Sequence, residues 1–223
     1  MAALDTSPTS TPEVQRRNRG ETERAFVDAG LLLLEKEGLM ALGVNAVARA
    51  AGHDKQLLYR YFGGWDDYLS LLGRELANRF TSALDARLSS GNPKSATGLL
   101  RSFAHALIDI YRTDPLLQQL VIWELQQSAA HVTPLIDARS AAFRSWIERH
   151  RETLPPRESF DLPAFSALII AAISHLSFAA GANGAYAGLP LASDDDWERL
   201  ATTIDLVVTR TIPAGADQSV SEK

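Results

Sequence analysis

The chain has 223 residues, 46% of them hydrophobic, with 27 acidic and 22 basic residues for a formal net charge of -5. That apolar share excludes a chain disordered throughout, and the length suits one helical domain or a small domain joined to a larger one. With no cysteine, neither a disulfide framework nor a Cys-ligated zinc site is available. The opening residues lack the basic-then-apolar order of a secretory signal, so the expectation is a cytoplasmic protein. Residues 1–18, rich in Ser, Thr and Pro, read as a disordered arm, with Arg16, Arg17 and Arg19 at its junction with the first helix.

Residues 44–62 carry the densest signal. Val44, Val47, Ala48 and Ala51 follow the i, i+3, i+4, i+7 spacing of a helix with one buried face, and Gly52 ends it. Asp54 is placed to cap a second helix beginning at Lys55, with Leu58 and Phe62 turned inward. Lys55, Gln56, Tyr59, Arg60 and Tyr61 then remain outside, and these are groups that hydrogen-bond phosphates and base edges. Two short helices joined by so tight a turn form a helix-turn-helix whose second helix reads double-stranded DNA. The basic arm before it suits a solubilising tail or a minor-groove contact.

The run Ala51-Gly52-x-x-Lys55-x-x-Leu58-Tyr59-x-Tyr61-Phe62, preceded by Phe26, Ala29 and Gly38-Leu39, resembles the tetracycline-repressor (TetR) family of bacterial transcription regulators over residues 19–72. The resemblance implies base-edge contacts from Asn45, Lys55, Gln56, Leu57, Arg60 and Tyr61, and a phosphate contact from Tyr59. It also implies a ligand-responsive repressor that binds a palindromic operator as a homodimer and is released by a small-molecule effector. Two positions depart from the family pattern. Gly43 stands where Ser or Thr commonly caps the first motif helix, and Trp65 stands where a phosphate-binding lysine commonly follows the reader helix. Charge is not a strong argument either way. Residues 1–65 hold eight basic and eight acidic residues, so binding to phosphate must depend on where the cations sit.

The expected organisation is all-α: an arm (1–18), a three-helix helix-turn-helix domain (19–65), a helical dimerisation and effector-binding domain (66–212), and a flexible tail (213–223). Trp65, Tyr68, Leu69, Leu72, Leu76, Phe80 and Ala83 keep helical spacing, which predicts one long amphipathic helix running into the second domain. Leu99, Leu100, Phe103, Leu107 and Tyr111 mark another helix. Asp114-Pro115 and Thr133-Pro134 look like helix starts, and Ser193-x-x-Asp196 looks like a capping box. Residues 89–94, 154–156 and 181–190 read as loops.

Between Asp161 and Asp194 no residue is charged, and residues 162–182 are long enough to span a bilayer. Ser166, Ser174, His175 and Ser177 inside the stretch, and the absence of Lys or Arg flanks, argue instead for a soluble helix covered on all sides. The family resemblance places a four-helix dimer interface at residues 162–180 and 194–212. No membrane contact is expected.

Motifs for catalysis are missing: there is no Gly-x-Ser-x-Gly elbow, no phosphate-cradling loop and no His-Glu-x-x-His. The five histidines never pair at helical spacing, so no metal face and no cofactor is expected. A helical enzyme and a membrane-associated or scaffolding helical protein stand as the alternatives. Tyr111, Trp123, Phe143, Trp146 and Phe178 are candidates to line an apolar effector cavity, with His105, Gln126, Gln127, His131 and His175 as polar points. Glu124 falls on an apolar stripe with Leu117, Leu120 and Val121, where it either pairs with Arg139 or faces a cationic or hydrogen-bond-donating effector.

Overall fold

A computed structural model describes residues 12–91, 93–126, 133–155 and 160–212. Apart from one small hairpin, the regular elements among them are helical, and the chain divides into two compact units, residues 1–72 and residues 73–223. The division falls inside a long helix rather than at residue 65, because Tyr68, Leu69 and Leu72 complete the first unit's core.

In the first unit, α1 (Pro12–Glu37) begins well inside the segment expected to be a disordered arm. Proline suits a helix start, since it has no amide hydrogen to leave unbonded. Arg19–Glu23 at 2.7 Å and Arg24–Asp28 at 3.1 Å then support the exposed turns at i, i+4 spacing. Residues 1–11 lie outside the described residues. The inner face of α1 carries Phe26, Ala29, Leu33 and Leu34, all buried. Packed on it are α2 (Val44–Ala51), α3 (Lys55–Phe62) and the opening turns of α4 (Trp65–Gly91), which bury Val47, Leu58, Tyr68, Leu69 and Leu72 completely. Each buried side chain of this size is worth about 1.5–3 kcal/mol against exposure.

Gly30 lets α1 and α4 approach each other. A Cβ at Gly30 would lie 2.1 Å from Tyr68 Oη and 2.9 Å from a Leu72 methyl. The tyrosine uses that space to donate its hydroxyl to the Phe26 carbonyl at 2.8 Å, and burial holds the phenol pKa well above its usual value.

In the second unit α5 (Ala96–Thr113) is the central helix, buried at Leu99, Leu100, Phe103, Leu107, Ile110 and Tyr111. Against it pack α6 (Pro115–Gln126), α8 (Leu162–Asn183) and α9 (Asp194–Thr211). Side chains cap the helix starts. Asp114 Oδ1 accepts the Leu117 amide at 3.1 Å, and Asp161 Oδ1 accepts the Ala164 amide at 3.0 Å. At α9 the Ser193 hydroxyl accepts the Asp196 amide while the Asp196 carboxylate accepts the Ser193 amide at 2.9 Å, a reciprocal capping box. Helix α7 (Thr133–Arg149) meets α4 at Gly73, where a Cβ would be 2.3 Å from the Leu135 carbonyl oxygen. Trp146 Nε1 donates to Asp85 Oδ1 at 2.6 Å across the same pair of helices.

One expectation changes. Residues 181–190 are not a plain loop: α8 continues to Asn183, and β1 (Ala185–Tyr186) pairs antiparallel with β2 (Leu189–Pro190). Ala187 and Gly188 both have positive φ, 47° and 81°, the backbone of a two-residue hairpin turn. Strands of two residues leave no alternation to read. The uncharged helix α8 is covered on one side by its own chain. Ile169, Ile173, Ser166, Ser174 and Ser177 are buried, whereas Leu168 is 71% exposed and Phe178 41% exposed. Helix α9 divides similarly, with Trp197, Ile204 and Val208 inside and Leu206 and Val207 about half exposed. By length and composition α8 could cross a membrane, yet one of its faces packs on α5 as a core helix does.

Candidate nucleic-acid interface

Local chemistry fixes α2 and α3. Gly43 precedes α2 and, lacking a side chain, makes no capping bond, so only its carbonyl is used, accepting the Val47 amide at 2.9 Å. Gly52 closes α2 in the left-handed conformation at φ 69°, which ordinary side chains adopt at a cost. Asp54 Oδ1 accepts the Gln56 amide at 2.7 Å and so starts α3, as its position in the sequence predicts. Leu58 then enters the core, while Phe62 is half-buried, its ring edge-on to Phe26 at 5.9 Å and to Tyr68 at 5.2 Å.

With that face anchored, Lys55, Gln56, Tyr59 and Arg60 are exposed on α3, and Asn45 is exposed on the first turn of α2. Leu57 and Tyr61 are half-buried. The predicted DNA-contacting residues thus fall on two adjacent short helices, with two amides, two cations and a phenol turned outward. Among the described residues no carboxylate forms an ion pair with Arg49, Lys55 or Arg60. Trp65, standing where the family pattern has a lysine, is half-buried and stacks on Tyr68 with ring centroids 5.3 Å apart. It serves the core rather than a phosphate.

One contact escaped the sequence reading. The Arg19 guanidinium lies over the Tyr61 ring at 5.4 Å, and the Arg60 guanidinium over the same ring at 5.9 Å. Glu23 hydrogen-bonds Arg19 and raises its pKa further above its ordinary value, so the cation above Tyr61 is permanent. The i, i+4 spacing of Arg19 and Glu23 signals a helix. Nothing local signals that this helix meets Tyr61.

The effector candidates separate. Tyr111 and Phe143 line one cavity of about 230 Å³ in the second unit, with Phe80, Thr81, Arg139 and Arg144. Trp146 is buried behind it, stacked on Phe143 at 6.0 Å and engaged with Asp85. His105 does not reach this cavity: it lies on another face of α5, its Nε2 2.8 Å from Asp205 Oδ1, in a wide, open cleft beside Arg87 and Arg101. His175 does not reach it either, because its exposed ring meets the Tyr186 ring of the hairpin edge-on at 4.7 Å. Phe178 is on the exposed side of α8. The backbone of α6 includes Trp123, Glu124 and Gln126, but their side chains, and Gln127 and His131 entirely, lie outside the described residues. The expected Glu124–Arg139 pair therefore has no described geometry.

Comparison with known proteins addresses the first unit directly. Residues 26–67 match the sequence model of bacterial regulatory proteins of the tetR family. No curated protein sequence matches the chain. Among solved structures, the fold is similar to that of a TetR family transcription regulator from Marinobacter aquaeolei VT8, 19% identical, with a TM-score of 0.55 over 86% of this chain and 97% of that one. It is similar as well to the fatty acid degradation regulator FadR from Bacillus halodurans, 16% identical, with a TM-score of 0.55 over 85% and 99% of the two chains. A third is the multidrug binding protein EbrR complexed with imidazole, 16% identical, with a TM-score of 0.57 over 86% and 95%. Identities this low carry the fold alone, and the sequence match is confined to residues 26–67. The matched residues form a capped helix-turn-helix whose second helix turns its polar groups outward, so over residues 26–67 the chain resembles the bacterial regulatory proteins of the tetR family.

Proposed function

We propose that the protein is a cytoplasmic, ligand-responsive repressor that binds a palindromic operator as a homodimer and leaves it when a small molecule occupies residues 66–212. The observation that carries the reading is the outward row Lys55, Gln56, Tyr59 and Arg60 on a helix whose opposite side is anchored by the fully buried Leu58. In the proposed complex Gln56 and Lys55 meet base edges, an amide suiting adenine and a cation suiting guanine, while Tyr59 meets a phosphate. Asn45, Leu57, Arg60 and Tyr61 complete the surface.

The dimer is proposed to form through residues 162–180 and 194–212. Supporting it are Leu168, Phe178, Leu206 and Val207, large apolar groups left open on α8 and α9. Burying such groups is favourable by about 25 cal/mol per Å². Ile204 is buried within the chain, so a charge there disrupts the fold itself; Leu168 and Leu206 are the discriminating positions. Leu168→Glu and Leu206→Glu are expected to sediment as folded monomers where the parent protein sediments as a dimer.

Random-site selection on the full chain tests the function. The expected product is a two-fold symmetric site, its half-sites about 34–36 Å apart or more. A selection that converges on no sequence would overturn the operator reading.

A further inference from the structure

We propose that Arg19 is a positioning residue of the DNA interface: its guanidinium, lying over the Tyr61 ring, holds that side chain in the orientation that meets a base edge, so Arg19 sets sequence specificity without touching DNA. This rests on the reading of α3 as the reader helix and adds α1 to the elements that decide which sequence is bound.

Helix α1 grips α3 at two places on one of its faces. Arg19 and Phe26 lie two helical turns apart and so share that face. The buried Phe26 ring meets Phe62 edge-on at 5.9 Å, and the Arg19 guanidinium covers Tyr61, the preceding residue of α3, at 5.4 Å. Arg60 also lies over the Tyr61 ring, but from the same short helix; Arg19 is the one of the two cations that ties the ring to another element. Glu23 fixes Arg19 in turn, its carboxylate accepting the Nε hydrogen at 2.7 Å. That pairing decides how Arg19 is used. A guanidinium balanced by a carboxylate releases few counterions on meeting a phosphate, whereas stacking uses the flat face of the group, which an in-plane hydrogen bond leaves open. Tyr61 has a use for the support. Among the described residues its hydroxyl meets no hydrogen-bond partner, and a phenol that changes rotamer freely must give up that freedom when it binds a base. Arg19 restricts the ring before DNA arrives. An unrelated duplex, held through its phosphates, gains nothing from this, so the effect falls on specific binding.

The test measures binding of the full-length protein to a selected operator and to an unrelated duplex across a range of salt, for the parent, Arg19→Ala, Arg19→Lys and Arg24→Ala. Arg24→Ala is the control, because Arg24–Asp28 is an exposed i, i+4 pair on the same helix with no ring beneath it among the described residues. Arg19→Ala is expected to weaken operator binding about three- to fivefold, the scale of one exposed cation–π contact, and to leave the unrelated duplex and both salt slopes unchanged. Arg19→Lys keeps a cation within reach of the ring and is expected to recover most of the loss, while Arg24→Ala binds as the parent does. In a Tyr61→Leu background, with no ring to hold, Arg19→Ala is expected to weaken operator binding no further. A second full loss there overturns the positioning role. So does an equal loss on both duplexes, or a salt slope lowered by about 0.9, which would make Arg19 a phosphate contact. A loss shared by Arg24→Ala assigns the effect to the stability of α1 and overturns it too. Operator binding unchanged in Arg19→Ala overturns this role alone, whereas a parent that selects no operator overturns the operator reading and this role with it.

Discussion

In residues 1–72 the outward cations of α2 and α3, Arg49, Lys55 and Arg60, meet no carboxylate among the described residues, whereas in residues 73–223 several arginines are tied to aspartates. Arg79 holds Asp114, Arg101 holds Asp205, Arg112 holds Asp194 and Arg149 holds Asp85, at distances between 2.5 and 3.3 Å. Net charge does not reveal this difference, because the first 65 residues are neutral by composition. Placement does. A cation already paired releases few counterions on meeting a phosphate, while an unpaired one contributes fully to DNA binding. An acidic chain can therefore bind DNA through a few residues on one face, and the acids elsewhere oppose non-specific association.

The comparison breaks most readily at the two close approaches, one in each unit. Gly73→Ala forces a Cβ to within 2.3 Å of a backbone carbonyl, which cannot rotate away, and is expected to cost about 3 kcal/mol or more. Gly30→Ala meets a tyrosine hydroxyl and a leucine methyl instead, and about 2–3 kcal/mol is expected, together with loss of DNA binding. Urea unfolding of the two variants checks the order. A Gly73→Ala protein as stable as its parent would contradict the packing of α4 against α7.

Smaller effects sharpen the same contrast. Tyr68→Phe removes one buried hydrogen bond and should lower stability by about 1 kcal/mol at neutral pH. Because the folded phenol has a pKa raised by burial, its stabilising contribution is complete below the ordinary tyrosine pKa of about 10 and is lost as the pH climbs beyond it. The gap between parent and Tyr68→Phe is expected to close between about pH 9 and pH 11, read from urea midpoints. Asp205 behaves oppositely. The Arg101 hydrogen bond, with a further one from His105, holds its carboxyl below the usual range, so its contribution exists above about pH 4 and disappears on acidification through the folded pKa. With Arg101 nearly half exposed, Asp205→Asn should lower the melting temperature by only about 1–2 °C at pH 7, and by nothing measurable once the aspartate is protonated.

The units also differ in how much of each was legible in the sequence. Gly52, Asp54 and Leu58 act through neighbours within four residues, so spacing alone located α2, α3 and the outward side of the reader helix. Ser193 and Asp196, or Asp114 before Pro115, are local in the same sense. Arg19 above Tyr61 and Gly30 beneath Tyr68 join residues some 40 positions apart, and no periodicity encodes them. In the second unit the same aromatic residues serve two purposes. Phe143 lines the cavity and also stacks on Trp146, which is itself core, and spacing cannot separate a wall from a filling. Histidines fared worst. His105 and His175 share helical faces with apolar residues, yet each is engaged by a partner 100 or 11 positions later in the chain, Asp205 and Tyr186.

In the proposed complex the unpaired cations of α3, and not the paired cations of the second unit, face the phosphates and bases of the operator. Binding of a selected duplex measured across a range of salt concentrations tests it directly, comparing Lys55→Ala and Arg60→Ala with Arg112→Ala, whose guanidinium lies 2.6 Å from Asp194. Even at base edges Lys55 and Arg60 place cations in the groove between the phosphate rows, so each substitution should lower the slope of log K against log salt by up to about 0.9, and Arg112→Ala should leave it unchanged. Parallel salt dependences for all three variants and the parent would contradict the account.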